Sequence, residues 1–234
     1  MMIETRQITK SLGDKLVLRG VDLSVKRGEA VALLGSNGAG KSTWLKIAAG
    51  LLQPTSGEVV INSQVMKKED YTNRKLIGYL GHRSFLYEAF TSIENLQFFA
   101  RLYNIANPDE RINHLIDAVG LSFFKHEPVR LFSRGMIQRL AIARSLLHDP
   151  EILLLDEPHT GLDQQGVAFL NELLLKLKTI GVTLIMVTHD FYQINGVCDR
   201  AVVLKKGKIS QDENIVGRPV EWIQTLYAGK EITC

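Results

Sequence analysis

Cysteine is scarce in this sequence: only Cys198 and Cys234 occur, far apart and without metal-binding spacing. That leaves neither a disulfide framework nor a cysteine-ligated zinc site, and it fits a reducing compartment. Runs of one charge sign are also missing. The 28 basic and 25 acidic residues are interspersed, so a formal charge of +3 gives no reason to expect nucleic acid as a partner. No apolar run approaches the roughly 18 residues that span a bilayer, and the start, Met1-Met2-Ile3-Glu4-Thr5-Arg6, has no signal-peptide core. A membrane link is therefore expected to come through a partner. No repeat, linker or low-complexity segment divides the chain, and with 45% hydrophobic residues it can bury a full core. One domain spanning residues 1–234 is expected.

Two kinds of apolar pattern are present. Alternation through Ile3 to Lys10 and Leu16 to Val25, around the turn Gly13-Asp14, predicts an antiparallel pair with one wet face. Continuous runs at Ala30 to Leu34, Ile152 to Leu155 and Val182 to Val187 predict central parallel strands covered on both faces. Between these, Ile93 to Tyr103, Arg111 to Val119 and Ile137 to Leu147 have helical spacing, and Thr91 with Glu94 forms a capping box before the first. They predict an inserted helical subdomain from about residue 86 to 149. Strand character returns at Ala201 to Leu204, before a turn at Lys206-Gly207 and a short stretch around Trp222.

The stretch Gly35-Ser36-Asn37-Gly38-Ala39-Gly40-Lys41-Ser42 is a complete phosphate-loop pattern lying between a buried strand and the helix expected from Trp44 to Ala49. Its glycines allow backbone N–H groups to turn inward around phosphates, and the helix N-terminus favours the anion. Lys41 adds a charge for the β- and γ-phosphates, Ser42 an oxygen for Mg²⁺, and Thr43 a donor for the α-phosphate.

A phosphate loop alone leaves kinases, GTPases and ATPases open. The pair Asp156-Glu157 narrows them, because it ends the buried run Ile152 to Leu155 at the strand edge where ligands bind in open α/β sheets. Asp156 is expected to hold Mg²⁺ and Glu157 to act as general base on the attacking water. His189 ends another apolar run, Leu184 to Val187 followed by Thr188, where it could donate to the γ-phosphate.

Phe132-Ser133-Arg134-Gly135-Met136 precedes a helical segment about twenty residues before Asp156. Alone, a Ser-x-Gly turn is an ordinary helix N-cap. In order with the phosphate loop, Asp156-Glu157, Thr160-Gly161-Leu162-Asp163 and His189, it makes the chain resemble the ABC ATPase family over nearly its whole length. The family's LSGGQ signature keeps its serine and second glycine here as Ser133 and Gly135, and departs at Arg134 and Met136.

The resemblance implies a phosphate-loop NTPase fold of class α/β, with a mixed core sheet, an antiparallel β-subdomain and the helical insert. It implies ATP and Mg²⁺ as cofactors. Two copies, or one copy and a homologous subunit, would sandwich two ATP molecules, Ser133, Arg134, Gly135 and Asp163 of one copy meeting the nucleotide on the other. It further implies integral membrane subunits as partners, at the cytoplasmic face of the inner membrane.

Two departures bear on chemistry. Where the family usually stacks an aromatic on adenine, this chain has Leu12, with Val17 as a further nucleotide contact, so weak discrimination among purine nucleotides is expected. In the stretch Ile77-Gly78-Tyr79-Leu80-Gly81-His82-Arg83, His82 stands where the family generally has glutamine. That ring is expected near the metal or the attacking water, with turnover falling once it takes up a proton and repels the metal.

The Leu80-Gly81-His82 variant resembles the heme-exporter ATPases of cytochrome c biogenesis. The Phe-Ser-Arg-Gly-Met signature resembles many bacterial exporters of drugs, ions or polysaccharides, which stand as the alternative. A non-transport ABC ATPase acting on ribosomes or DNA is a third reading, disfavoured because this chain has no room for a second cassette or a long coiled coil. The segment Phe85 to Phe90 mixes aromatics with few charges, as docking anchors do. His114, His126, His148 and His159 are scattered and are expected to serve surface or packing roles.

Overall fold

The computed structural model describes residues 1–67 and 71–228. The chain begins with β1 (Ile3–Leu12) and β2 (Lys15–Val25), antiparallel about the Gly13-Asp14 turn. After β3 (Ala30–Leu34) come α1 (Lys41–Ala48), β4 (Ser56–Ile61), β5 (Gln64–Val65), α2 (Tyr71–Arg74) and β6 (Ile77–Leu80). Three helices follow, α3 (Ser92–Leu102), α4 (Pro108–Ala118) and α5 (Arg134–Leu146). The rest alternates: β7 (Ile152–Asp156), α6 (Gln164–Thr179), β8 (Thr183–Val187), α7 (Phe191–Ile194), β9 (Arg200–Lys205), β10 (Lys208–Asn214) and α8 (Val220–Ala228).

One sheet has the order β2-β1-β4-β5 and is antiparallel; the other has the order β10-β9-β3-β8-β7-β6. In the second sheet β9, β3, β8, β7 and β6 run parallel, and β10 closes the edge antiparallel. This is the expected α/β architecture with a mixed core sheet. The continuous apolar strands face two cores at once, because successive side chains point to opposite faces. Ala30, Ala32 and Leu34 join the core that holds α3 to α6 and α8, while Val31 and Leu33 join the one beneath α1 and the antiparallel sheet.

Local signals set the helix starts. Thr91 accepts from the Glu94 N–H at 3.2 Å while the Glu94 carboxylate accepts from the Thr91 N–H at 2.8 Å, which completes the expected capping box. Ser133 caps α5 by accepting from the Met136 N–H, and Asp163 caps α6 by accepting from the Gly166 N–H. Strand β6 had no strand signal in the sequence, being only four residues with Gly78 inside it. Its glycine has a packing reason: a Cβ at Gly78 would lie 2.4 Å from the Ser145 carbonyl oxygen, so α5 crosses β6 at a distance only glycine tolerates.

Candidate functional site

Parallel strands align their carboxyl ends, so the loops leaving β3, β6, β7 and β8 open on the same edge. Leu80 pairs with Leu155, Asp156 with Val187, and Leu33 with Val187. The phosphate loop, His82, Asp156-Glu157 and His189 are thereby brought to one cavity of about 880 Å³.

The loop from Gly35 to Gly40 turns tightly before α1. Gly40 has φ 110°, and a Cβ there would stand 2.6 Å from Leu18 Cδ2, so a side chain would be strained in both conformation and space. Lys41 is only 8% exposed, and its Nζ donates back to the Gly35 carbonyl at 2.6 Å and the Ser36 carbonyl at 3.2 Å. Burial pushes its ammonium pKa down, and the nearby Glu157 and Asp156 carboxylates oppose that shift. Ser36, Asn37, Gly38, Ser42 and Thr43 line the cavity, whereas Ala39 is buried beneath the loop, in the core that also holds Leu18 and Trp44.

The Asp156 carboxylate is buried. Oδ1 accepts from Ser42 Oγ at 3.1 Å, Oδ2 has no hydrogen-bond partner among the described residues, and His82 Nε2 stands 3.7 Å from it. Burial raises its pKa, while the Ser42 hydroxyl and the His82 ring pull it the other way. An unsatisfied carboxylate oxygen beside a hydroxyl is a set of hard oxygen donors that fits Mg²⁺. Glu157 sits at φ 52°, a left-handed conformation uncommon outside glycine, and its N–H donates to the Val187 carbonyl. His189 Nδ1 lies 3.0 Å from both Glu157 carboxylate oxygens, so that nitrogen carries the proton and donates.

Leu12 and Val17 line the opposite end of this cavity, together with Lys15. Lys15, Val187 and Tyr227 had not been singled out from the sequence, nor Thr160 as a lining residue; no local pattern marks Tyr227, which comes from α8 near the end of the chain. Its ring packs edge-on against Phe191, two residues after His189, with centroids 5.2 Å apart.

Ser133, Gly135 and Asp163 do not join this cavity. They line a separate hollow of about 350 Å³ with Gly161 and Arg139. The Asp163 carboxylate is occupied in capping α6. Arg134 borders both this hollow and a smaller one that reaches His82, Asp156 and Glu157. Gln138 Nε2 donates to the Pro158 carbonyl at 2.8 Å and ties α5 to the segment after Glu157. The chain thus keeps the two groups of residues in separate hollows. His148 and His159 are packing residues, hydrogen-bonded to the Ile77 carbonyl and to Asn171 Oδ1.

The sequence model of the ABC transporter family matches residues 18–160. The uncharacterized ABC transporter ATP-binding protein YhcH of Bacillus subtilis (strain 168) is 33% identical over 227 residues, 97% of this chain and 74% of that protein. The linearmycin resistance ATP-binding protein LnrL of the same organism is 32% identical over 89% of this chain and 68% of its own length. Among solved structures, a dimeric post-hydrolysis state of the ATP-binding cassette MJ0796 bound to ADP and Pi superposes with TM-score 0.84 at 30% identity, covering 92% of this chain and all of that one.

Proposed function

Because the chain belongs to the ABC transporter family, we propose that it is the ATP-hydrolysing subunit of a bacterial exporter, with Lys41, Ser42, Asp156, Glu157 and His189 carrying out the hydrolysis. It uses ATP with Mg²⁺, works as a pair and acts on integral membrane subunits. Among the described residues no helix is long and apolar enough to cross a membrane. We place it at the cytoplasmic face of the inner membrane, held there by its partner.

The observation that carries the reading is the meeting of a phosphate loop, a buried carboxylate with a free oxygen, and the Glu157–His189 pair at one strand edge. Lys41 would exchange its loop carbonyls for phosphate oxygens, a charge-assisted contact. Ser42 and Asp156 would hold the metal, whose charge would offset that of the phosphates. Glu157 would take the proton of the attacking water. A neutral imidazole has one N–H, so His189 cannot hold Glu157 and donate to a γ-phosphate together. The two contacts alternate, and turning to the phosphate frees Glu157 for the water. Ser133, Arg134 and Gly135, with the free N–H groups at the start of α5, would close over the nucleotide held by the second copy. His82, within reach of Asp156, is assigned to the same metal and water.

Glu157→Gln tests this directly. Hydrolysis is expected to fall at least about hundredfold while an ATP-bound pair accumulates in size-exclusion chromatography. A folded variant that never pairs, or a wild-type chain inert beside its membrane subunits, rejects the assignment.

For the cargo we favour the heme-exporter type of cytochrome c biogenesis, on the Leu80-Gly81-His82 variant. The relative named for linearmycin resistance favours a second reading, a drug exporter. The identity of the integral protein that co-purifies decides between them. The exposed rings of Phe85, Tyr87 and Phe90 are assigned to docking that protein.

A further inference from the structure

His189 and Glu157 lie on different loops, those leaving β8 and β7, and their side chains meet at 3.0 Å. The His189 side chain is 79% exposed, so little packs against its ring. What holds it on Glu157 must be the backbone turn that carries it. That turn leads into α7, only four residues long and too short to be stable by itself. A run of side-chain hydrogen bonds ties it down. The contact that packs His159 against Asn171, 2.8 Å from Nε2 to Oδ1, continues: Asn171 Nδ2 donates to Gln193 Oε1 at 3.0 Å, and Gln193 Nε2 donates to Asp190 Oδ2 at 3.4 Å. The run starts in the turn after Glu157, passes through α6 and α7, and ends on the residue after His189.

Its polarity is set by chemistry. Asn171 Oδ1 can only accept, so His159 Nε2 carries the proton and Nδ1 is a bare acceptor, buried and without a partner among the described residues. Burial pushes the ring's pKa below the usual histidine range, against the Asn171 contact and the Asp190 and Glu157 charges. Each amide then accepts on one side and donates on the other, an alignment in which successive hydrogen bonds strengthen one another. Both ends are anchored. The second Asp190 oxygen accepts from the Tyr192 N–H at 2.9 Å, and the Asp190 N–H donates to Thr188 Oγ1 at 3.1 Å. At the other end the Thr160 N–H closes the turn around His159 by donating to the Glu157 carbonyl at 3.1 Å. None of His159, Asn171 and Gln193 lines the nucleotide cavity, so any part they take in hydrolysis goes through the pair they connect.

We propose that His159, Asn171 and Gln193 are positioning residues that hold the turn of His189 against Glu157, restricting the ring to its two working contacts, the Glu157 carboxylate and the γ-phosphate. The proposal rests on the hydrolytic role given above to Glu157 and His189, and adds to it the residues that set their separation. A reacting pair loses its advantage when its members are misplaced by a fraction of an ångström, and an exposed ring has no other support.

The test reads both histidines directly, in the full chain with ¹⁵N-labelled imidazole rings and no nucleotide. In the wild type His189 should be mainly the Nδ1–H tautomer and His159 the Nε2–H tautomer; either ring in the opposite form overturns the proposal, whatever the variants do. Gln193→Met keeps the length of the side chain and removes both of its hydrogen bonds. It should lower the Nδ1–H fraction of His189 and reduce kcat for ATP about fivefold or more, with KM changed by less than about twofold. His159→Leu should do the same, whereas His159→Gln, whose amide nitrogen can stand where Nε2 stands, should keep the tautomer and most of kcat. Folded Gln193→Met and His159→Leu with kcat unchanged overturn the proposal, and so does a loss of kcat with the His189 tautomer unmoved. A wild type that turns over no ATP beside its membrane subunits rejects the hydrolytic reading instead, and the His189 tautomer in Gln193→Met then still decides whether the run of hydrogen bonds holds that ring.

Discussion

At the phosphate end of the main cavity Asp156 and Lys41 are almost wholly buried, whereas at the other end Leu12 leaves 50% of its surface open. The first end is assembled from four strand-end loops, with Glu157 and the glycines Gly35, Gly38 and Gly40 at positive φ, and from hydrogen bonds of the buried Lys41 and Asp156 side chains. The second is a pair of strand positions and a lysine on the antiparallel sheet. On the proposed reading, the pre-organised donors and the buried carboxylate specify binding and turnover, and an exposed aliphatic side chain reads little of a base. Nucleotide selectivity should therefore follow charge and phosphate number more than the identity of the purine.

The sharpest break in this comparison is at His189. His189→Ala should lower turnover about hundredfold and leave ATP affinity within a few-fold, measured by steady-state hydrolysis beside nucleotide titration. Next is Lys41→Met, where loss of a charge-assisted contact of about 1.5–3 kcal/mol should weaken Mg-ATP binding about 10- to 100-fold in calorimetry. At the open end, Leu12→Ala removes a half-buried side chain and should cost about fivefold in affinity. ATP and GTP should differ by less than about hundredfold, some 2.7 kcal/mol, and a larger ATP preference would show that the open end reads the base.

The smallest effect is on the acid stability of the fold. Burial holds the His148 ring below the usual histidine range; the Ile77 carbonyl opposes this and the Arg144 charge adds to it. The ring is stacked on Tyr103 at 4.0 Å, with Nδ1 unpartnered among the described residues. The fold thus prefers the neutral form, and its stability should decline as pH falls from about 6.5 toward the lower folded value, where the loss is complete. Thermal melts of the wild type against His148→Gln should show a shallower acid decline in the variant.

Much of this chain is legible locally. The phosphate loop, the carboxylates ending an apolar run and the capping box at Thr91 each depend on residues a few positions apart, and helix and strand periods recur within one element. Short or irregular pieces are not legible that way. In β6, Gly78 argues against a strand, and its reason is the Ser145 backbone 67 positions later. The entry of Tyr227 into the cavity depends on α8 packing against α7.

By itself the sequence marked the groups to which phosphate binding, metal binding and proton transfer are assigned, because those demands are met by residue type and short spacing. Only the tertiary structure decided which of them face one another. The parallel register set Asp156 beside Val187 and so brought Glu157 to His189, 32 positions away. The fold kept Ser133 and Gly135 apart from Lys41 in a second hollow. It also joined His159 to Asp190 through Asn171 and Gln193. The reason is physical: which partners a charge finds is fixed by how distant segments pack, and no local pattern carries that information.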